Sequence, residues 1–357
     1  MAAELSDREL RLLRMRGQGL LGATRARSVS AAASAALAIQ AQDVGVGMLG
    51  VRARTTLTAT QARRQSTRPA VCRSWLMRNT LFLFASRDLA WLRPALSERP
   101  LTQAMRRLEQ ERVPEREVER LLELLRERLA GGPLPRPEAR ELLISEGIDP
   151  GEGNQRIYWL FHAAALRGVL IVRPALEQVQ TFVAAPENEP MPRERALGRL
   201  ARRYLKGHGP ATADDLAYWA KITKADARLG WEHAGRTVEM RTSRGPMTAL
   251  PGALEPPAAT KPAVRLLGEW DHYLLSWVDK GVALPVDQVD VHLVAGRKTV
   301  FADGLAFATW RLVREPGRIT VELKPFDRVP RRLRPALETE VADLGRFFDA
   351  EADLRII

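Results

Sequence analysis

One pattern recurs three times before residue 250, and it restricts the fold more than any other feature. Amphipathic helical segments come in twos and threes, and each group runs into a short β-branched or aromatic stretch. In the first group, residues 5–22 carry leucines at helical spacing (Leu10, Leu13, Leu20, Leu21). Ser28 or Ser30 is placed to cap a second helix that runs to about Gln40. Pro69 reads as the first turn of another helix, TLFLF (80–84) as strand-like, and Ser86 as the cap of the helix that follows. The second group is PEREVERLLELLRERLAGG, LPRPEARELLISEG and NQRIYWLFHAAALRG, followed by the strand-like VLIVRP. The third is PRERALGRLARRYLKGHGP, a Thr212-capped TADDLAYWAKI and TKADARLGWE, followed by TVEMRT. Helices followed by a short hairpin are the grammar of a winged helix. The predicted class is therefore α+β and mostly helical, with winged-helix units over 1–110, 111–190 and 191–255.

A proline-rich stretch, ALEPPAATKPAV (253–264), reads as a linker. Beyond it the pattern turns β-like, through VRLLGEWDHYLLSW, VDVHLVAG, TVFADGLAFATWRLV and RITVELKPF. A closing helix starts near Pro335, and residues 262–357 form a C-terminal β module.

The 357 residues carry a formal charge of +12, with 55 Lys+Arg against 43 Asp+Glu. That excess fits a polyanionic partner, nucleic acid above all, although arginine-heavy composition has other origins. The single cysteine, Cys72, excludes an internal disulfide and fits a reducing cytoplasm. No Cys/His metal spacing, HExxH, GxGxxG or P-loop is present, so no metal or other cofactor is expected. The apolar run from Val29 to Ile39 is too short and too rich in Ala and Ser for a membrane span. A monomeric, cytoplasmic DNA-binding protein is the resulting expectation.

Four blocks then follow one another in order: IQAQDVGVGMLGVRAR, CRSWLMRNTLFLFASRDLAWL, YLKGHGPATADDLAYWAKI and LLGEWDHYLLSWVDK…FADGLAFATWRL. Together they resemble the AlkZ-like family of winged-helix DNA glycosylases, over about residues 10–326. The resemblance implies three tandem winged-helix motifs and a C-terminal β-barrel-like module around a concave channel for double-stranded DNA. It implies excision of alkylated bases, including bulky N7-alkylguanines and guanine interstrand crosslinks. The family's Gln-x-Gln falls on Gln40 and Gln42, where a sister branch has Gln-x-Asp. The family's RGTLHL stands here as RNTLFL, with Asn79 and Phe82 as the departures. Phe82 either alters rate and specificity or fills the core.

A glutamine does not titrate near neutral pH and is no strong base. An N7-alkylguanine, however, is cationic and leaves as a neutral base through an oxocarbenium-like transition state. Such a bond needs a well-placed water more than proton abstraction. A Gln oxygen can accept from that water while its NH₂ fixes the side chain. Residues i and i+2 diverge by about 200° on a helix, so Gln40 and Gln42 converge only if the helix ends or unwinds between them. Asp43 is a competing base, or a turn residue. Expected phosphate contacts are Arg52 and Arg54 on a strand or loop beside the site, and Arg73, Arg78 and Asn79 around the first wing. Arg297 and Lys298 complete the set at a hairpin tip. Trp75, Trp91, Trp159 and Trp219 read as core, while Asp271 either supports the β module or faces the channel. Two non-catalytic readings remain open: a winged-helix transcription regulator and a lesion-binding resistance protein.

Overall fold

The computed structural model describes residues 4–173, 179–187, 189, 191–253, 255–257, 261–285, 290 and 296–357. The chain is a mixed α+β protein, about half helical. Its first helix, α1 (Asp7–Gly17), begins in a capping box, with Ser6 and Glu9 satisfying each other's backbone donors. Ser28 caps α2 (Val29–Ala35) by accepting from Ala31 N–H. The predicted helix up to Gln40 is therefore too long. It stops at Ala35, and Leu37 takes a positive φ of 64°. A two-residue strand, β1 (Ile39–Gln40), follows. Then come α3 (Val44–Arg54) and α4 (Ala59–Ser66).

Pro69 does not open a helix. It precedes β2 (Val71–Met77), which pairs antiparallel with β3 (Thr80–Ala85). The hairpin turn is Arg78–Asn79, both at positive φ (56° and 52°), as a two-residue type I′ turn requires. Every residue of β2 is buried, because helices pack on both of its faces. Cys72 and Leu76 join the core beneath α5 (Leu89–Leu96), whereas Trp75 joins the core built by α7 (Glu115–Ala130) and α9 (Gln155–Leu166). The strands of the first two helical groups merge into one six-stranded sheet. Its order is β1-β3-β2-β5-β6-β4, with β4 at Leu134–Pro135, β5 at Leu170–Val172 and β6 at Thr181–Ala184.

The third group is α10 (Arg193–His208), α11 (Ala213–Ala220) and α12 (Lys224–Glu232), followed by the hairpin of β7 (Val238–Thr242) and β8 (Gly245–Ala249). Thr212 caps α11 in a second capping box, as its position predicts. The C-terminal module corrects the barrel-like expectation. Among the described residues it is an open five-stranded sheet in the order β13-β12-β11-β10-β9, with β9 (Val264–Leu267) and β13 (Glu351–Ile356) at its edges. Between them lie β10 (Thr299–Ala302), β11 (Leu305–Glu315) and β12 (Arg318–Pro325). The helix α14 (Arg334–Phe348) returns the chain so that β13 runs parallel to β12. The strand expected over VDVHLVAG lies almost wholly outside the described residues, as does part of the proline-rich linker.

Three histidines, His162, His208 and His272, are buried in this frame and held neutral, and the first two define a pH window. His162 lies among Trp75, Tyr158 and Trp159, and burial alone pushes its pKa down to about 4. His208 meets the Ala36 carbonyl through Nε2 (3.1 Å) and Gln18 Nε2 through Nδ1 (3.1 Å), with its pKa down at about 3, chiefly through burial. Above about pH 6.5, the ordinary histidine value, both are neutral folded or unfolded and contribute nothing. Below it the unfolded chain takes up protons that the folded chain refuses. Stability should therefore fall with falling pH, down to about pH 4 for His162 and about 3 for His208. Urea unfolding at several pH values checks this. The slope of unfolding free energy between about pH 6 and 4.5 should be shallower by roughly one proton in His162→Phe. An unchanged slope would show that His162 charges in the folded state.

Candidate active site

The glutamine pair is held by an extended backbone, not by a helix end. In β1, Ile39 pairs with Leu83 and Gln40 with Phe82. Ala41 N–H continues the ladder by donating to Leu81 O (2.9 Å). Successive side chains of an extended segment point to opposite faces. Ile39 and Ala41 are accordingly buried at 3% exposure each, while Gln40 and Gln42 line one cleft. The two-residue spacing is the strand period, which is why both carboxamides meet the same space.

Backbone donors fix each carboxamide. Gln40 Oε1 accepts from Gln42 N–H (3.2 Å), and Gln42 Oε1 accepts from Leu81 N–H (2.9 Å). An N–H facing the amide sets the oxygen toward it, and each oxygen keeps a second lone pair. Arg73 clamps the backbone behind them, with Nε donating to Ala41 O (2.9 Å) and Nη2 to Gln42 O (3.0 Å). Burial lowers the Arg73 pKa to about 10, so it remains charged at neutral pH. Asp43 is the N-cap of α3, its Oδ1 accepting from Val46 N–H (3.0 Å). The glycines of the quoted DVGVGMLG stretch sit inside α3 and let it lie against β1. A Cβ on Gly50 would stand 2.6 Å from Ile39 Cγ2.

The expectation that Arg52 and Arg54 occupy a strand or loop and meet phosphates is corrected. Both close the last turn of α3 and are buried, at 0% and 1% exposure. Arg52 pairs with Glu340 (2.7 Å) and Asp343 (3.3 Å). Arg54 forms a two-pronged pair with Asp271 (2.7 and 2.8 Å) and also donates to Gln18 Oε1 (3.0 Å). These arginines bolt α3 to the C-terminal module, and Asp271 is a support. They have no surface left for a phosphate.

The cleft holds about 800 Å³ and lies between the β1–α3 corner and the C-terminal sheet. Gln40, Gln42 and Asp43 line it together with Glu269, Trp270 and Lys298. Arg78 lines it too, with its guanidinium donating to the carbonyls of Trp219 (3.1 Å), Tyr218 (3.1 Å) and Leu275 (3.4 Å). Asn79 stands outside, donating to Gln103 Oε1 (2.9 Å) and accepting from Tyr158 OH (2.7 Å). Phe82 is 1% exposed and packs on His272 at a ring distance of 5.0 Å, and it also lines the cleft. Arg297 is exposed just before β10, and Lys298 pairs with Glu269 (2.7 Å). Trp75, Trp91 and Trp219 are buried as expected, and Trp159 is partly so.

Glu269 and Trp270 escaped the sequence reading. Their signal was a charged residue and a tryptophan between a strand and an Asp cap, which is a turn rather than a core segment. Asp43 caps the α3 N-terminus, and Glu269 pairs with the Lys298 ammonium through Oε1, while its Oε2 is buried without a hydrogen-bond partner. Among the described residues no group of three His, Cys, Asp or Glu side chains is placed to hold a metal ion. No described helix is long and apolar enough to cross a membrane. The two carboxamides that line the cleft are neutral, and such groups can orient water but not deprotonate it.

No curated protein sequence matches the chain. Its fold is similar to that of the Streptomyces sahachiroi DNA glycosylase AlkZ, with a TM-score of 0.81 and 24% identity, over 99% of this chain and 100% of that one. The family model described as "DNA glycosylase AlkZ-like" matches residues 33–347, from α2 through nearly all of α14. The chain belongs to the AlkZ-like DNA glycosylase family.

Proposed function

We propose that the protein is a monofunctional DNA glycosylase that excises cationic alkylated purines from double-stranded DNA. The observation that carries the reading is the common face of Gln40 and Gln42, each oxygen pinned by one backbone N–H and free to accept one more. A water held between them attacks the anomeric carbon. The C1′–N bond breaks with its electron pair going to the base, which cancels the positive charge of an N7-alkylguanine or N3-alkyladenine. The proton that the water sheds goes to solvent. Amide oxygens beside the sugar stabilise the oxocarbenium-like charge without a full anion.

The first three helix-and-hairpin groups, read as winged helices, wrap the duplex as one monomer. Arg297 and Lys298 meet its backbone from the C-terminal module, and Arg78 and Asn79 meet it from the β2–β3 hairpin. Arg52, Arg54 and Arg73 serve the interior instead. An 800 Å³ cleft open to solvent accommodates bulky N7 adducts and crosslinked guanines as well as methyl groups.

Lability of the glycosidic bond should rank the substrates, because the site offers no strong acid for a neutral leaving group. N7-methylguanine, N3-methyladenine and a bulky N7 adduct should all be released from one duplex sequence at fixed salt, with hypoxanthine and 8-oxoguanine left in place. Efficient hypoxanthine release would show a working acid, with Glu269 and Asp43 the residues to replace. Tight lesion binding with no release of any base would favour the lesion-binding reading instead.

A further inference from the structure

Trp270 stands apart from the other tryptophans of the chain. Trp75, Trp91, Trp219, Trp277 and Trp310 are buried at 5% exposure or less. Trp159 and Trp231 pack against other rings. Trp270 leaves 46% of its surface in solvent, lines the same cleft as Gln40 and Gln42, and makes no ring or cation contact among the described residues. Its backbone is also unusual. Trp270 has φ +56°, a left-handed conformation that is an outlier for a bulky side chain. Such strain persists only where the surroundings impose it, and it gathers at functional sites.

The surroundings here impose it from both sides. Glu269 is tied to Lys298 (2.7 Å), ahead of β10. Asp271 is tied to Arg54 at the end of α3 and also accepts from Tyr273 N–H (2.9 Å) as the cap of α13 (His272–Leu275). Trp270 is the turn residue between two pinned neighbours. A glycine would meet the same backbone without strain. The position instead carries the largest flat side chain available, which lines the cleft together with Val46, Leu49 and Leu312. An indole matches the face of a purine in size, and base–aromatic stacking needs no particular hydrogen-bond edge.

We propose that Trp270 is the base-stacking residue of this cleft, packing on the face of the damaged purine or its flat adduct as it leaves the duplex stack. The proposal rests on the glycosylase reading for the identity of the base. The test is equilibrium binding, which requires no excision. One duplex carries N7-methylguanine on a 2′-fluoro sugar, which slows base loss, and a second carries a tetrahydrofuran abasic analogue at the same position. Stacking contributes about 1–3 kcal/mol per base, so Trp270→Ala should weaken binding to the first duplex about 10- to 100-fold. It should shift binding to the second by less than about twofold, because no base is there to stack on. Trp270→Phe should keep most of the affinity, and Trp270→Gly should melt no lower than Trp270→Ala while binding as poorly. Equal weakening on both duplexes would show a merely structural turn, and no weakening on either would also overturn the proposal. A wild-type protein that binds the lesion through Trp270 yet releases no base would leave this inference standing and remove the glycosylase reading.

Discussion

Replacing Gln40 or Gln42 by alanine is expected to slow N7-methylguanine release by about ten- to a thousandfold while leaving affinity for undamaged duplex unchanged. The magnitude follows from what the side chains do. A positioned water contributes through orientation and through the amide oxygens beside the developing cation, and no proton transfer is lost with them. Glu substitutions sharpen the expectation. Gln42→Glu retains an acceptor toward Leu81 N–H but adds a full negative charge to the cleft. It should remain active and begin to tolerate less activated bonds. Asp43→Asn retains an acceptor for Val46 N–H and should leave the rate within a few-fold of wild type. The measurements are single-turnover base release and duplex binding on the same preparations.

Asp271→Ala is expected to cost about 3–5 kcal/mol of stability, because it leaves the Arg54 guanidinium buried without its carboxylate. The pair is 2% and 4% exposed, so bulk solvent does not reach the guanidinium. The remaining acceptors are Gln18 Oε1 and the Gly50 carbonyl. Removing the charge from both partners should recover much of the loss, so Arg54→Met combined with Asp271→Leu should unfold at higher urea than Asp271→Ala alone. A surface pair such as Lys224–Asp214, 67% and 51% exposed, should cost well under 1 kcal/mol when broken. Urea midpoints for the three variants decide whether the α3 anchor is the strong point that its burial implies.

How much of this could be read from sequence depends on how local each cause is. The caps at Ser28 and Thr212 are written in adjacent residues and were legible. The glutamine pair was legible as a motif, but the reason for its spacing was not. β1 is only two residues long, and its strand character comes from pairing with Leu83 and Phe82, more than forty residues away. The glycines of α3 mask its helical character, because their purpose, clearance for Ile39 and Ala41, is a tertiary contact. Arg52 and Arg54 looked like surface cations because their carboxylates lie 288 and 217 residues further on. β2 was hidden by Arg73, whose charge breaks the apolar run yet is spent on the Ala41 and Gln42 carbonyls. The open C-terminal sheet follows from α14 returning β13 parallel to β12, an arrangement no local pattern encodes.

The most direct measurement is product analysis after a single turnover on a duplex containing one N7-methylguanine. The expected products are free N7-methylguanine and an unbroken strand with an abasic sugar. In ¹⁸O-water one label should enter the anomeric hydroxyl, and borohydride should trap no protein–DNA adduct. The Gln40→Ala/Gln42→Ala double variant should bind the same duplex and form these products at a small fraction of the rate. A wild-type rate in that variant, or a borohydride-trapped covalent adduct, would contradict the assignment of this cleft as the site of water attack.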